Sequence, residues 1–187
     1  MLIAGLLLFI GVHLVPTLPG LRNALVARLG DRGYRGVFTL ISFAGLLLII
    51  FGYPRFGGRD ELVFAPVTAA IVLAPYVVTL ALILFAAANM RGYLRYKLQH
   101  PMLIGLFLWS LTHLLANGSA RASVLFGSFL AYSLVDFISA VRRHAVKPFT
   151  PKAKFDVMAI VGGVVVALVV MAVHRWLFGV PASSISL

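Results

Sequence analysis

Six apolar runs separated by short polar stretches set the pattern of the chain, at about residues 2–18, 37–53, 63–88, 100–118, 122–140 and 155–178. None alternates with period two. Each falls near the length that lets a helix cross a bilayer, roughly 17–25 residues. The first run starts directly after Met1 without a basic segment and ends at Pro16 and Pro19-Gly20, so it is expected to be a retained helix rather than a cleaved leader. Pro54 stops the second run and Pro75 is expected to kink the third. The fourth opens at His100-Pro101, proline being well suited to a first helical position, and closes at Asn117-Gly118. The pattern predicts an all-α fold: a polytopic membrane helical bundle of about six transmembrane helices, forming one domain over residues 1–187 with no internal repeat and a frayed tail from Gly179.

Composition sharpens this picture. Of 187 residues, 61% are hydrophobic and mean hydropathy is +1.03, far above a soluble domain. The net charge of +11 comes from lysines and arginines gathered between the apolar runs, which fits positive-inside loops better than a nucleic-acid surface. Arg22, Arg28, Arg32 and Arg35 follow the first run, Arg91, Arg95 and Lys97 the third, and Arg142, Arg143, Lys147, Lys152 and Lys154 the fifth. Only Arg55, Arg59, Arg121 and Arg175 lie on the opposite side, so both termini are expected on the outer face. Cysteine is absent, which excludes disulfides and thiolate metal sites and leaves histidine as the strong metal ligand inside the runs.

Polar groups within the apolar runs are the candidates for chemistry, because such groups are costly in lipid and tend to face the bundle interior. Trp109, Ser110 and His113 fall on one face of the fourth helix, with Asn117 one turn further on. A histidine there is either a satisfied interior group or a ligand. Trp109 can pack a core or line a flat ligand, and Ser110 can bond back to its own helix. His13 is the other intramembrane histidine. A buried haem is commonly held by two histidines from different helices, and this chain offers His13, His100 and His113 on two spans. His100 and His113 are about 140° apart around their helix, so one metal centre takes only one of them, and depth alone does not decide which one pairs with His13. Ser128, Tyr132, Asp136 and Ser139 make an inward polar face on the fifth helix. Asp136 is expected in an ion pair with Arg91, Arg95 or a neighbouring basic residue, or else as a relay or a partner of a ligating histidine. No P-loop, His-Glu-x-x-His, Gly-x-Ser-x-Gly or paired carboxylates occur.

These residues resemble a known family. His100-Pro101-Met102, the run from Leu108-Trp109-Ser110 through His113-Leu114-Leu115-Ala116-Asn117-Gly118, then Leu125-Phe126-Gly127 and Asp136 followed by Arg142-Arg143, look like the NnrU family, and His13 is similar to its first-helix histidine. The resemblance covers nearly the whole chain. It implies a multi-pass protein of the bacterial inner membrane linked to denitrification, that is, to nitrite and nitric oxide metabolism. The family also includes, more distantly, the plant zeta-carotene isomerase, a haem b membrane enzyme. That similarity implies haem b ligated by His13 and His113. On the helix geometry above, Trp109, Ser110 and Asn117 would line the site beside His113, with His100 or Asp136 as second or alternative participants. In the isomerase a cysteine lies three residues before the second histidine, where this chain has Ser110. The implied partners are the lipid bilayer, haem, a hydrophobic small molecule and respiratory reductase components. Two other roles follow from the same resemblance: a haem-dependent cis-trans isomerase of a carotenoid-like polyene, and a non-catalytic assembly or regulatory factor for a respiratory reductase.

Overall fold

A computed structural model describes residues 1–56, 61–146 and 148–178; Arg59, Asp60, Lys147 and the expected frayed tail lie outside the described residues. Seven helices form among the described residues: α1 (Leu2–Leu14), extended by a short 3-10 turn (Val15–Thr17), α2 (Pro19–Gly52), α3 (Thr68–Ala88), α4 (Tyr93–Leu98), α5 (Pro101–Asn117), α6 (Ala120–Arg142) and α7 (Ala153–Phe178). α2, α3, α6 and α7 are long and apolar enough to cross a membrane, and two shorter apolar helices, Leu2–Thr17 and Pro101–Asn117, accompany them. The protein is a polytopic membrane helical bundle.

Helix appears in two places where the charge pattern predicts loop. The basic stretch after the first run is the opening segment of α2, with Pro19 at its start. Its leucines, alanines and arginines are all strong helix formers, and charge does not oppose the helix. At Gly30 the backbone takes φ 69° and ψ 163°, a conformation open to glycine, and it breaks α2 into segments 19–29 and 31–52. The basic stretch around Arg95 forms the short α4. Its N-terminus is capped from another helix: Tyr93 and Leu94 N–H donate to the two carboxylate oxygens of Asp156 on α7, both at 2.8 Å.

α3 begins five residues later than the apolar pattern suggests, because 61–67 is held extended against the α5–α6 turn. Val63 N–H donates to Gly118 O at 2.8 Å, Ala120 N–H to Glu61 O at 3.0 Å and Val67 N–H to Leu115 O at 2.9 Å. Gly118 ends α5 in the left-handed region at φ 66°, and a side chain there would collide with the carbonyl of Phe64.

Close backbone packing joins the long helices in the order α2, α1, α6, α5, α3, α7. The α1–α2 hairpin is the tightest by geometry. A Cβ at Gly45 would lie 2.7 Å from Phe9 N and one at Gly5 2.7 Å from Ile49 N, so only hydrogen lets the two backbones meet. Leu2, Leu6 and Ile49 are buried in this seam and extend to Phe9, Tyr53, Val124, Leu125 and Phe129. The α1–α6 seam is the loosest of the long-helix contacts. Aromatic side chains occupy it.

Candidate functional site

α1 and α6 run parallel, and their side chains meet level by level: Phe9 with Phe129, His13 with Tyr132, and Thr17 with Ser139. α5 runs antiparallel to α6, so His100 meets Phe137 at one end, while Trp109 meets Phe126 and Phe129 and His113 meets Phe126 nearer the other. Both intramembrane histidines therefore flank α6.

Their local wiring is the same. His13 Nδ1 lies 2.6 Å from Phe9 O, and His113 Nδ1 lies 2.8 Å from Trp109 O, each bond reaching one turn back along its own helix. A carbonyl oxygen only accepts, so Nδ1 carries the proton in both rings and a neutral ring leaves the Nε2 lone pair unused. This is the arrangement by which a metal-ligating histidine has its tautomer and ring orientation fixed. The spacing follows from the helix itself, since residues four apart lie one above the other.

The surroundings differ. His13 stacks on Phe9 with ring centres 4.3 Å apart and meets Phe38 of α2 edge-on at 5.0 Å. Beyond Tyr132 lies a charged group: the Tyr132 hydroxyl donates to Asp136 at 3.0 Å, Arg143 lies 3.5 Å from the other Asp136 oxygen, and Arg143 Nε donates to Ser139 Oγ at 3.0 Å. Of the expected partners for Asp136, it is the neighbouring basic residue, Arg143 seven positions on at the end of α6, that forms the ion pair, rather than Arg91 or Arg95. His113 instead has Trp109 at 5.0 Å and Phe126 at 4.8 Å. No ring contact among the described residues joins His13 directly to His113. Phe9, Phe129 and Trp109 form a ladder between them, with ring centres 5.8 Å apart at both inner steps.

The remaining sequence candidates take simpler positions. Ser110 is fully buried and its hydroxyl donates to Leu106 O at 2.6 Å, with Phe107 O at 3.2 Å. Asn117 Nδ2 donates to His113 O at 2.7 Å, which ties the histidine's own peptide to the helix end. His100 caps α5 beside a cavity of about 180 Å³ lined by Arg95, Gln99, Met102 and Val146. Partial burial holds its ring below the usual imidazole range, Asp136 pulling the other way and Arg143 reinforcing the burial. Tyr34, outside the predicted second span, was not among the sequence candidates. Its ring lies 6.2 Å from Phe38, and its hydroxyl is buried with no hydrogen-bond partner. Its spacing of four from Phe38 was the available signal, hidden because apolar content alone starts that span at Val37.

Whether these residues fit a haem can be tested on donor chemistry and space. In donor chemistry, two Nε2 lone pairs and flat aromatic surfaces beside both rings suit an iron porphyrin, but the seam between α1 and α6 is filled by aromatic rings. The spacing sets a condition. His13 is level with Tyr132 and His113 with Phe126, a difference of roughly 9 Å along α6 at the helical rise. One iron shared by both histidines requires the ladder to part and the helices to shift along one another.

A helical membrane protein with two half-buried histidines, each fixed at Nδ1 and flanking a common aromatic helix, is the class that this fold and site define. The family model described as NnrU protein matches residues 1–182. The chain belongs to the NnrU family. No curated protein and no solved structure matches it.

Proposed function

We propose that this NnrU-family protein is a haem b protein, its iron held by Nε2 of His13 and of His113, with a role connected to nitrite and nitric oxide metabolism. The observation that carries the haem reading is the paired wiring: both histidines donate Nδ1–H to the carbonyl four residues back, and both keep Nε2 for a ligand. Family membership supports the link to denitrification. When bound, haem would supply a one-electron couple whose potential the residues holding it would tune.

The chain's own residues would do the rest. Phe9, Phe38, Phe126 and Trp109 surround the two imidazoles and keep water from them. Tyr132 and Asp136 set a hydrogen-bonded, charged boundary on the His13 side. Ser110 stands where the isomerase has its cysteine, its hydroxyl donates to its own helix, and a neutral hydroxyl is a poor iron ligand, which weighs against ligand exchange of the isomerase type. The excess of lysine and arginine at the end holding His100 and Arg143 supports a cytoplasmic position for that end in a bacterial inner membrane.

The test is the pigment. Protein purified in detergent from haem-replete cells is expected to give a Soret band and split reduced bands of a low-spin bis-histidine haem. A colourless wild-type preparation that takes up no added haem would overturn this reading.

A further inference from the structure

The short helix α4 and the first two turns of α7 border an open cleft of about 350 Å³, lined by Tyr93, Leu94, Lys97, Leu98, Asp156 and Ile160. Its frame is built by long-range contacts. Asp156 accepts the N–H groups of Tyr93 and Leu94, Lys152 N–H donates to Arg91 O at 3.0 Å, and a side chain at Gly92 would collide with the Asp156 carboxylate. These contacts hold α4 at α7 and keep the cleft in place. Its walls are apolar apart from Lys97 and Asp156, and an apolar cleft open to a bilayer is filled by hydrocarbon rather than water. Ile160 is seven residues into α7, roughly 10 Å from its start, so the cleft runs from the polar end of the bundle to the depth of acyl chains. Tyr93 and Tyr96 are exposed at that end, the level at which tyrosine meets lipid headgroups.

We infer that the α4–α7 cleft binds an anionic phospholipid, with an acyl chain against Leu94, Leu98 and Ile160 and the headgroup phosphate at the Lys97 ammonium. Charge selects this occupant. Lys97 is exposed and makes no ion pair among the described residues, whereas both oxygens of Asp156, the acid in the lining, are committed to the N–H groups of α4. Arg91, Arg95, Lys152 and Lys154 lie in the same two segments, so five basic residues face one carboxylate whose hydrogen bonds are already made. A basic rim over an apolar cleft at headgroup level is the chemistry that recognises an anionic lipid. A zwitterionic lipid of the same chain length enters the same cleft without the net charge that Lys97 reads. No part of this assignment depends on haem.

Full-length protein stripped of lipid in a nonionic detergent is titrated with phosphatidylglycerol and with phosphatidylcholine of the same acyl chains, and bound lipid is counted by native mass spectrometry. Wild type is expected to hold one phosphatidylglycerol about fivefold more tightly than phosphatidylcholine, the contribution of one lysine at headgroup level. Lys97→Gln should bring the two affinities together by weakening phosphatidylglycerol alone. Ile160→Trp, which fills the cleft, should weaken both lipids severalfold, while Leu168→Trp, on the exposed surface of the same helix outside the cleft, should change neither. Lys97 and Ile160 are both exposed, so neither substitution disturbs the core. Equal affinity of wild type for the two lipids overturns the inference. A preference that survives Lys97→Gln overturns the assignment of the phosphate to Lys97, and binding that Ile160→Trp leaves intact, or that Leu168→Trp weakens equally, shows annular lipid only and overturns the cleft.

Discussion

The α1–α2 hairpin and the α3–α5–α7 group each bring one histidine to α6, and both are built on glycines that let helix backbones meet. In the hairpin, backbone lies on backbone across Gly5 and Gly45. In the other group, Gly105 faces the carbonyl of Ala81 and the ring of Phe85, and Gly163 faces the backbone of Ile83, where a Cβ would lie 2.5 Å from Ile83 Cα. The two groups differ in what surrounds their histidines. His13 adjoins Tyr132, Asp136 and Arg143, whereas His113 adjoins aromatic rings on a helix whose end is closed over by 61–67. At both positions the helix supplies the same Nδ1 anchor, the carbonyl four residues back. The neighbouring helices decide whether that ring feels a charged boundary or an apolar one.

The largest expected effect tests whether the two histidines are equivalent. His13→Ala and His113→Ala should each abolish the low-spin spectrum, and the double variant should lose the pigment altogether. If one single variant kept the wild-type spectrum, the likeness of their wiring would have no functional counterpart, and His100 would be the ligand to examine next.

The second test compares the helix seams. Gly45→Ala puts a Cβ against Phe9 backbone, which yields only if the hairpin opens, so a net loss of about 2 kcal/mol is expected after the gain in helix propensity. Gly105→Ala meets one carbonyl and a ring that can turn, and about 1 kcal/mol is expected. Gly11→Ala, where a Cβ meets nothing, should stabilise by roughly 0.5–1 kcal/mol through helix propensity alone. Unfolding midpoints in detergent rank the three. Any other order would mean that the room at each glycine does not set the cost of filling it.

A smaller effect is expected from Asp156→Ala, which leaves the first N–H groups of α4 without their acceptors. It should cost about 1 kcal/mol and raise amide exchange at Tyr93 and Leu94 without moving the pigment spectrum. The smallest concerns the polar side of His13. Asp136 and Arg143 are partly exposed, so a double-mutant cycle of Asp136→Asn and Arg143→Gln should give a coupling below about 1 kcal/mol. A coupling several times larger would mean that the pair is sealed from water and that the His13 side is more tightly built than its exposure suggests.

The chain by itself determined the helices and the two wired histidines, because both depend on neighbours within a turn or two. Apolar run length marked six helical segments, Pro101 and Gly118 marked the ends of α5, and a histidine in a helix has the carbonyl four residues back within reach. Hydrophobicity read alone hid the first segment of α2 and with it Tyr34, since an arginine-rich stretch can be helical without being apolar. What only the tertiary structure decided was the order of packing, with α6 between the two histidines, and the aromatic ladder that separates them. Helix order in a membrane depends on which small-residue surfaces let backbones approach, and that requires two helices to be matched at once. Asp156 reaching from α7 to cap α4 across 63 positions is the same kind of fact. No local pattern encodes it, because the bond exists only after α4 and α7 have met.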